Sequence, residues 1–319
     1  MGKIAFVFSG QGAQTPGMGL SLYKSSPAAR RVFQTADSLR PGTTRQCFYS
    51  TEEELCETKN TQPCLFTVEM ATAAALAEAG IEADMAAGFS LGEVSALSYS
   101  RAVDFATGLM LVMHRGELMQ EASEKRPTSM AAVLRLSNDE VRKICSEYRG
   151  VYPVNFNCPG QVSVSGISEE MQPFMAAVKA AGGRSVPLKV SGAFHSPFMT
   201  EAAKAFARDL TGVAIGRPFL PLYSNYTGTV YGPDIRTTLA KQIDHPVQWE
   251  TIIREMIAAG ADTFFELGPG KTLCNLIKKI DPSVRTFAIS GQEELQKAWT
   301  EVGTCSAERR QSLRAVPVA

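Results

Sequence analysis

Gly88-Phe89-Ser90-Leu91-Gly92 lies between the apolar run Met85-Ala86-Ala87 and a helix-like stretch from Glu93 to Tyr99. A G-x-S-x-G at a strand-to-helix junction forms a nucleophile elbow. The glycines let the chain turn sharply, so the serine oxygen projects clear of the backbone beside the N–H groups that open the helix. Such donors can hold an oxyanion. The same pattern also fits a plain strand-to-helix turn, so the question is whether the chain supplies what a nucleophilic serine needs.

The surrounding pattern has an α/β rhythm. Ile4–Phe8 is an unbroken apolar run of the kind found in buried parallel strands, and it ends in Ser9-Gly10-Gln11-Gly12-Ala13-Gln14. Helices are expected over Ala28–Leu39, Leu65–Ala79 and Phe105–Ala122. From Met130 the texture changes: a strand to Leu136, then a capping box at Ser137 and Glu140 opening a helix to Tyr148. Strands follow over Tyr152–Phe156 and Gln161–Ser165, then a helix capped by Ser168 and running to Ala181, then a strand over Arg184–Val190. This β-α-β-β-α-β order is that of a ferredoxin-like unit, read here as a small domain inserted into a larger one. The α/β rhythm resumes with a helix over Phe198–Leu210, a strand over Leu220–Ser224, a helix over Trp249–Ala259, a strand over Thr263–Leu267 and a helix over Leu273–Ile280. Beyond about Ser290 the chain reads as a helix followed by a polar tail. The domain expectation is 1–127 and 193–290 for the large α/β part, 128–192 for the insertion and 291–319 for the tail.

Composition narrows the function classes. With 32 Lys and Arg against 32 Asp and Glu, the net charge is zero, which leaves no global attraction to nucleic acid or anionic membrane. The seven cysteines include no C-x-x-C pair, so they read as reduced thiols rather than disulfides or a zinc site. No segment reads as a signal peptide or membrane span, and the expectation is a cytoplasmic monomer without metal. Two glycine loops tempt a nucleotide reading. Gly10-Gln11-Gly12 would need its third glycine at Thr15, and Gly270-Lys271-Thr272 would need a P-loop's opening glycine at Phe265.

A serine needs a base, and the chain has three histidines. His114 sits in an expected helix beside Arg115, and His245 precedes Pro246. His195 stands in Gly192-Ala193-Phe194-His195-Ser196, where the insertion rejoins the large domain and where pockets form. It is the favoured base, with a hydrogen-bonded loop histidine as the alternative reading.

Gly10-Gln11-Gly12-Ala13-Gln14, Gly88-Phe89-Ser90-Leu91-Gly92-Glu93, His114-Arg115-Gly116, Asn157-Cys158-Pro159-Gly160-Gln161, Gly192-Ala193-Phe194-His195-Ser196 and Gly268-Pro269-Gly270 occur in order. Together they resemble the malonyl-CoA:acyl-carrier-protein transacylase family of fatty-acid and polyketide synthesis, from Ile4 to about Ile280. The resemblance implies an α/β-hydrolase-like large domain with a ferredoxin-like insertion. It implies Ser90 as the malonyl-carrying nucleophile, His195 as general base and acid, and the Gln242 backbone carbonyl as the group that orients His195. The N–H groups of Gln11 and Leu91 would form the oxyanion hole, and Arg115 would clamp the malonyl carboxylate. Phe194 would crowd a branched extender unit, while Asn157 and Arg184 would contact the coenzyme A arm. Malonyl-CoA would be a substrate, with no resident cofactor, and the partner would be acyl carrier protein, for which Lys271, Lys278 and Lys279 are a candidate basic patch. One departure stands out: the family usually has histidine before the nucleophile, and this chain has Phe89. The competing readings are an acyl hydrolase acting on carrier-bound groups, a trans-acting polyketide acyltransferase and a non-catalytic docking subunit.

Overall fold

The computed structural model describes residues 2–188 and 192–302. Its strands are β1 (Lys3–Phe8), β2 (Met85–Gly88), β3 (Thr128–Leu134), β4 (Val151–Cys158), β5 (Gln161–Ile167), β6 (Arg184–Pro187), β7 (Ala261–Leu267) and β8 (Arg285–Ile289). They form a parallel sheet of order β2-β1-β7-β8 and an antiparallel sheet of order β4-β5-β3-β6.

The apolar run of β1 is explained by burial on both faces. Phe6 and Phe8 point into one core with the helix Thr58–Glu78, while Ala5 and Val7 point into the other with Trp249, Ile252 and Ile277. Period-two side-chain alternation thus feeds two cores from one strand. The helix Thr58–Glu78 begins seven residues before the expected Leu65 and carries Pro63 inside it. Nearly every side of it is buried, and that packing holds the extra turns that proline alone would discourage.

In the antiparallel sheet, the helices Asn138–Ser146 and Ser168–Ala180 pack Val141, Phe174 and Val178 on Val133, Val162 and Val164. The Ser137–Glu140 capping box forms as expected. Ser168, expected as a cap, is the first helical residue instead; Ile167 takes the cap position and offers no side-chain acceptor. The end of the strand expected to run to Val190 lies outside the described residues, as does the tail from 303, with Cys305. The sheet is tied to the rest of the molecule through β4, where Phe156 N donates to Val247 O and Val247 N to Val154 O, each over 2.9 Å.

Leu220–Ser224 makes only isolated bridges, Leu222 beside Ala86 of β2 and Tyr223 beside Val230. The strand β8 and the helices Thr43–Tyr49 and Ile235–Lys241 were not expected. Residues 292–302 form a helix.

Candidate active site

The parallel register sets Gly88 beside Phe8, so the turns after β1 and β2 leave the same sheet edge together. Ser90 occupies the left-handed region at φ 54°. A Cβ on Gly88 would lie 1.9 Å from Gly92 backbone atoms, and one on Gly92 would lie 2.3 Å from Phe8 O. Both glycines are therefore required by close approach, and the helix Gly92–Tyr99 starts directly behind the serine.

His195 Nε2 lies 2.7 Å from Ser90 Oγ, and its Nδ1 lies 2.7 Å from Gln242 O. A carbonyl only accepts, so the proton sits on Nδ1 and the Nε2 lone pair faces the serine hydroxyl. Gln242 caps the C-terminus of Ile235–Lys241, where a helix leaves carbonyls without intrahelical partners. Burial, reinforced by the Arg115 charge, pushes His195 down to about 3, so the ring is neutral. His114 instead faces Asp209 at 3.8 Å on the surface, and His245 packs edge-on against Tyr226. Neither bonds Ser90.

Arg115, on Phe105–Glu124, is 1% exposed. Its Nη2 donates to Ser90 Oγ (3.1 Å) and Gln242 Oε1 (2.8 Å), and its Nη1 to Gln62 Oε1 (2.9 Å). Among the described residues no carboxylate approaches the guanidinium within 4.0 Å. Burial draws its pKa down to about 10, and the charge of Glu93 opposes that. A buried cation with neutral partners is costly and suits a site that receives an anion.

Two buried acids brace the elbow, and sequence reasoning had assigned neither a role. Glu69 accepts Ser9 Oγ (2.6 Å) and Ser95 Oγ (2.5 Å), strapping the turn after β1 to the helix Gly92–Tyr99; burial pushes it up to about 8. Glu93 accepts Asn225 N and Tyr231 Oη. Asn225 and Gln62 were likewise overlooked, because their contacts span 135 and 53 residues and no local motif marks them. Glu93 had a local signal, as the acid in the first turn after Ser90.

The remaining expected residues divide. Gln11, Phe89 and Asn157, joined by Asn155, which was not expected, line a cavity of about 210 Å³ between the elbow and the antiparallel sheet. The Oδ1 atoms of Asn155 and Asn157 are buried there without a partner among the described residues. Leu91 is the N-cap of the elbow helix, and Phe194 is buried one residue before the base. Phe89 meets Trp249 edge-on, with ring centroids 5.3 Å apart. Arg184 is exposed at the start of β6, in the row Gln161–Leu134–Arg184, so two strand spacings (~10 Å) separate it from Gln161. The P-loop alternative fails physically: Glu266 accepts Leu273 N and Cys274 N, filling with a carboxylate the helix end a phosphate would need. Among the described residues no cluster could hold a metal, and no helix is long and apolar enough to cross a membrane.

The fold is mixed α/β, and its parallel part brings a serine–histidine pair on a strand-to-helix turn beside a buried guanidinium. The acyl transferase domain family matches residues 5–298, and the chain belongs to that family. It is 39% identical to a malonyl CoA-acyl carrier protein transacylase of Bacillus subtilis, covering 93% of this chain and 96% of the relative, and 37% identical to one of Escherichia coli K12, covering 91% and 96%. The solved transacylase of Clostridium perfringens superposes with a TM-score of 0.93 at 34% identity, covering 97% of this chain and 99% of that one. A malonyl-transacylase solved with its type II polyketide synthase acyl-carrier protein superposes at 0.90 and 33% identity, covering 94% and 99%.

Proposed function

We propose that this chain transfers malonyl from malonyl-CoA to the phosphopantetheine thiol of acyl carrier protein, by a ping-pong route through Ser90. His195 Nε2 takes the Ser90 proton as Oγ attacks the thioester carbonyl, and the oxyanion rests on the N–H groups of Gln11 and Leu91. The C–S bond then breaks, and the proton passes from His195 to the departing coenzyme A sulfur. The carrier thiol reverses these steps: His195 accepts its proton, sulfur attacks the Ser90 ester, and Oγ leaves with the proton. Arg115 holds the free malonyl carboxylate, for which guanidinium offers paired donors, and Phe194 limits branching beside the carbonyl. Gln242 O keeps His195 in its reactive tautomer. Asn157, and Arg184 from further out, meet the coenzyme A arm.

In fold terms, residues 1–127 and 193–290 are an α/β-hydrolase-like domain and residues 128–192 a ferredoxin-like insertion, a reading supported by the antiparallel strand order and its two covering helices. The observation that carries the substrate assignment is the buried guanidinium 3.1 Å from the nucleophile with only neutral hydrogen-bond partners. A hydrolase of plain acyl chains has no use for it. Intact-protein mass after brief exposure to malonyl-CoA tests the proposal: an adduct that needs Ser90 and discharges to holo carrier protein faster than to water is expected. Discharge to water alone would make the chain a hydrolase, and the absence of an adduct would favour the docking subunit.

A further inference from the structure

Backbone in the left-handed region at a residue with a side chain persists only where its surroundings over-determine it. At Ser90 the carbonyl accepts Gln242 Nε2 over 2.6 Å, and the N–H is held by one asparagine. Asn225, fully buried, accepts the Ser90 N–H at Oδ1 over 2.7 Å and donates Nδ2 to Gly88 O over 2.6 Å. Bonds to the carbonyl before a residue and the N–H after it are how a neighbouring parallel strand grips that residue. Main-chain pairing of this kind already joins β2 to the chain before Asn225, with Ala86 gripping Leu222: Ala86 N donates to Pro221 O and Tyr223 N to Ala86 O. The Asn225 side chain therefore continues the ladder past the end of β2, with Phe89 as the gripped residue, and carries it up to the nucleophile.

Asn225 is itself aimed. Its N–H donates to Glu93 Oε1 over 2.8 Å, and its carbonyl accepts Gln248 N over 2.9 Å. Tyr231 Oη donates to the same Glu93 oxygen over 2.6 Å. Glu93 lies three residues beyond Ser90 on the helix that the elbow opens, so the contacts close a ring: Ser90 to Glu93 along the chain, Glu93 to Asn225, Asn225 back to Ser90. Burial lifts the Glu93 carboxyl to about 7, against the hydrogen bonds from Tyr231 and Asn225 and the charge of Arg115. Its oxygen accepts both contacts in either protonation state, so the ring is geometric.

We infer that Asn225 and Glu93 are positioning residues for acylation: the Asn225 carboxamide splints the elbow, Glu93 aims it, and the pair holds Ser90 Oγ in line with His195 Nε2. A corollary concerns the oxyanion. The Ser90 N–H is committed to Asn225, which leaves that task to Leu91 and Gln11.

The inference rests on Ser90 being the nucleophile, so its test uses a probe that carries neither a carboxylate nor a pantetheine arm. Phenylmethylsulfonyl fluoride forms a sulfonate ester on a reactive serine, releasing fluoride while the base takes the proton. Displacement by an ångström can cost on the order of 100-fold in rate. Asn225→Ala is expected to slow both sulfonylation and malonyl-CoA acylation by about 30- to 100-fold. The Kd for malonyl-CoA, read on a Ser90→Ala background, should stay within about threefold. Glu93→Ala should lose about 10-fold, and Glu93→Gln, which keeps an oxygen acceptor, should recover most of it. Tyr231→Phe removes one hydroxyl and covers the case in which the asparagine variant does not fold; about 3- to 10-fold slower labelling is expected. A folded Asn225→Ala or Tyr231→Phe protein that labels at the wild-type rate overturns the inference, as does an equal loss of binding and labelling. A wild-type protein that does not label at Ser90 removes the nucleophile and the inference with it. Labelling at Ser90 without any malonyl adduct would break the substrate assignment alone.

Discussion

The two sheets place their polar groups differently. Around the parallel sheet, the Ser90, His195, Arg115, Gln242, Asn225 and Glu93 side chains are all buried and held to one another by hydrogen bonds that cross large stretches of sequence. The antiparallel sheet lines the neighbouring cavity with Gln161, Ser163, Asn155 and Asn157, the last two with carboxamide oxygens that lack partners among the described residues, while Arg184 is exposed on β6. A reacting centre needs its atoms fixed before substrate arrives. A surface that receives a long flexible arm needs donors and acceptors left for that arm. On the proposed function, the bond-making step would belong to the parallel part and recognition of the carrier arm to the insertion.

The strongest challenge to that division is at the reacting pair. Ser90→Ala and His195→Ala should each lower transfer by roughly 10⁴-fold or more, measured as malonyl-carrier formation, with coenzyme A thioester binding retained. A loss of binding on the same scale would dissolve the distinction. Asn157→Ala should do the opposite at smaller scale. Loss of a neutral hydrogen bond, about 1 kcal/mol, should raise KM for malonyl-CoA by about fivefold with kcat unchanged, read from steady-state kinetics; a fall in kcat would put Asn157 in the chemistry.

The smallest effects sharpen the contrast through pH. Glu69 is raised in the folded protein to about 8, well above its value in an unfolded chain. Its contribution is therefore full below the unfolded pKa and is lost as pH rises through about 8. Glu69→Gln should gain melting temperature relative to wild type between pH 5 and pH 9, by about a few degrees, as thermal unfolding at each pH would record. A difference independent of pH would mean that the acid is not buried as described. At the base, His195 is depressed to about 3 and accepts a proton only when neutral. The acid limb of Ser90 acylation should then fall below the usual histidine range; single-turnover rates against pH with an inflection near 6.5 would contradict that.

Legibility followed sequence distance. The elbow could be read because all its requirements fall within five residues, and Arg115 because a motif brackets it. The β-α-β-β-α-β order was legible because capping and turn residues punctuate it. Asn225 was not, since what recruits it is the pairing of Pro221–Tyr223 with β2, a register that no local pattern encodes. The strand β8 was missed because it is short and mostly half-buried, so it lacks both an apolar run and a clear alternation. Gln242 was found through resemblance for its carbonyl, yet its side chain also bonds Arg115 and Ser90 O.

The most direct test of the account is the trapped acyl-enzyme mass for wild type and Arg115→Ala with malonyl-CoA and acetyl-CoA in turn. Losing a charge-assisted hydrogen bond costs about 1.5–3 kcal/mol. The variant should therefore form the malonyl ester on Ser90 about 10- to 100-fold more slowly while its acetyl ester forms at least as fast as in wild type. Equal slowing of both esters would show that Arg115 supports the nucleophile rather than reading the substrate carboxylate, and would contradict the account at its centre.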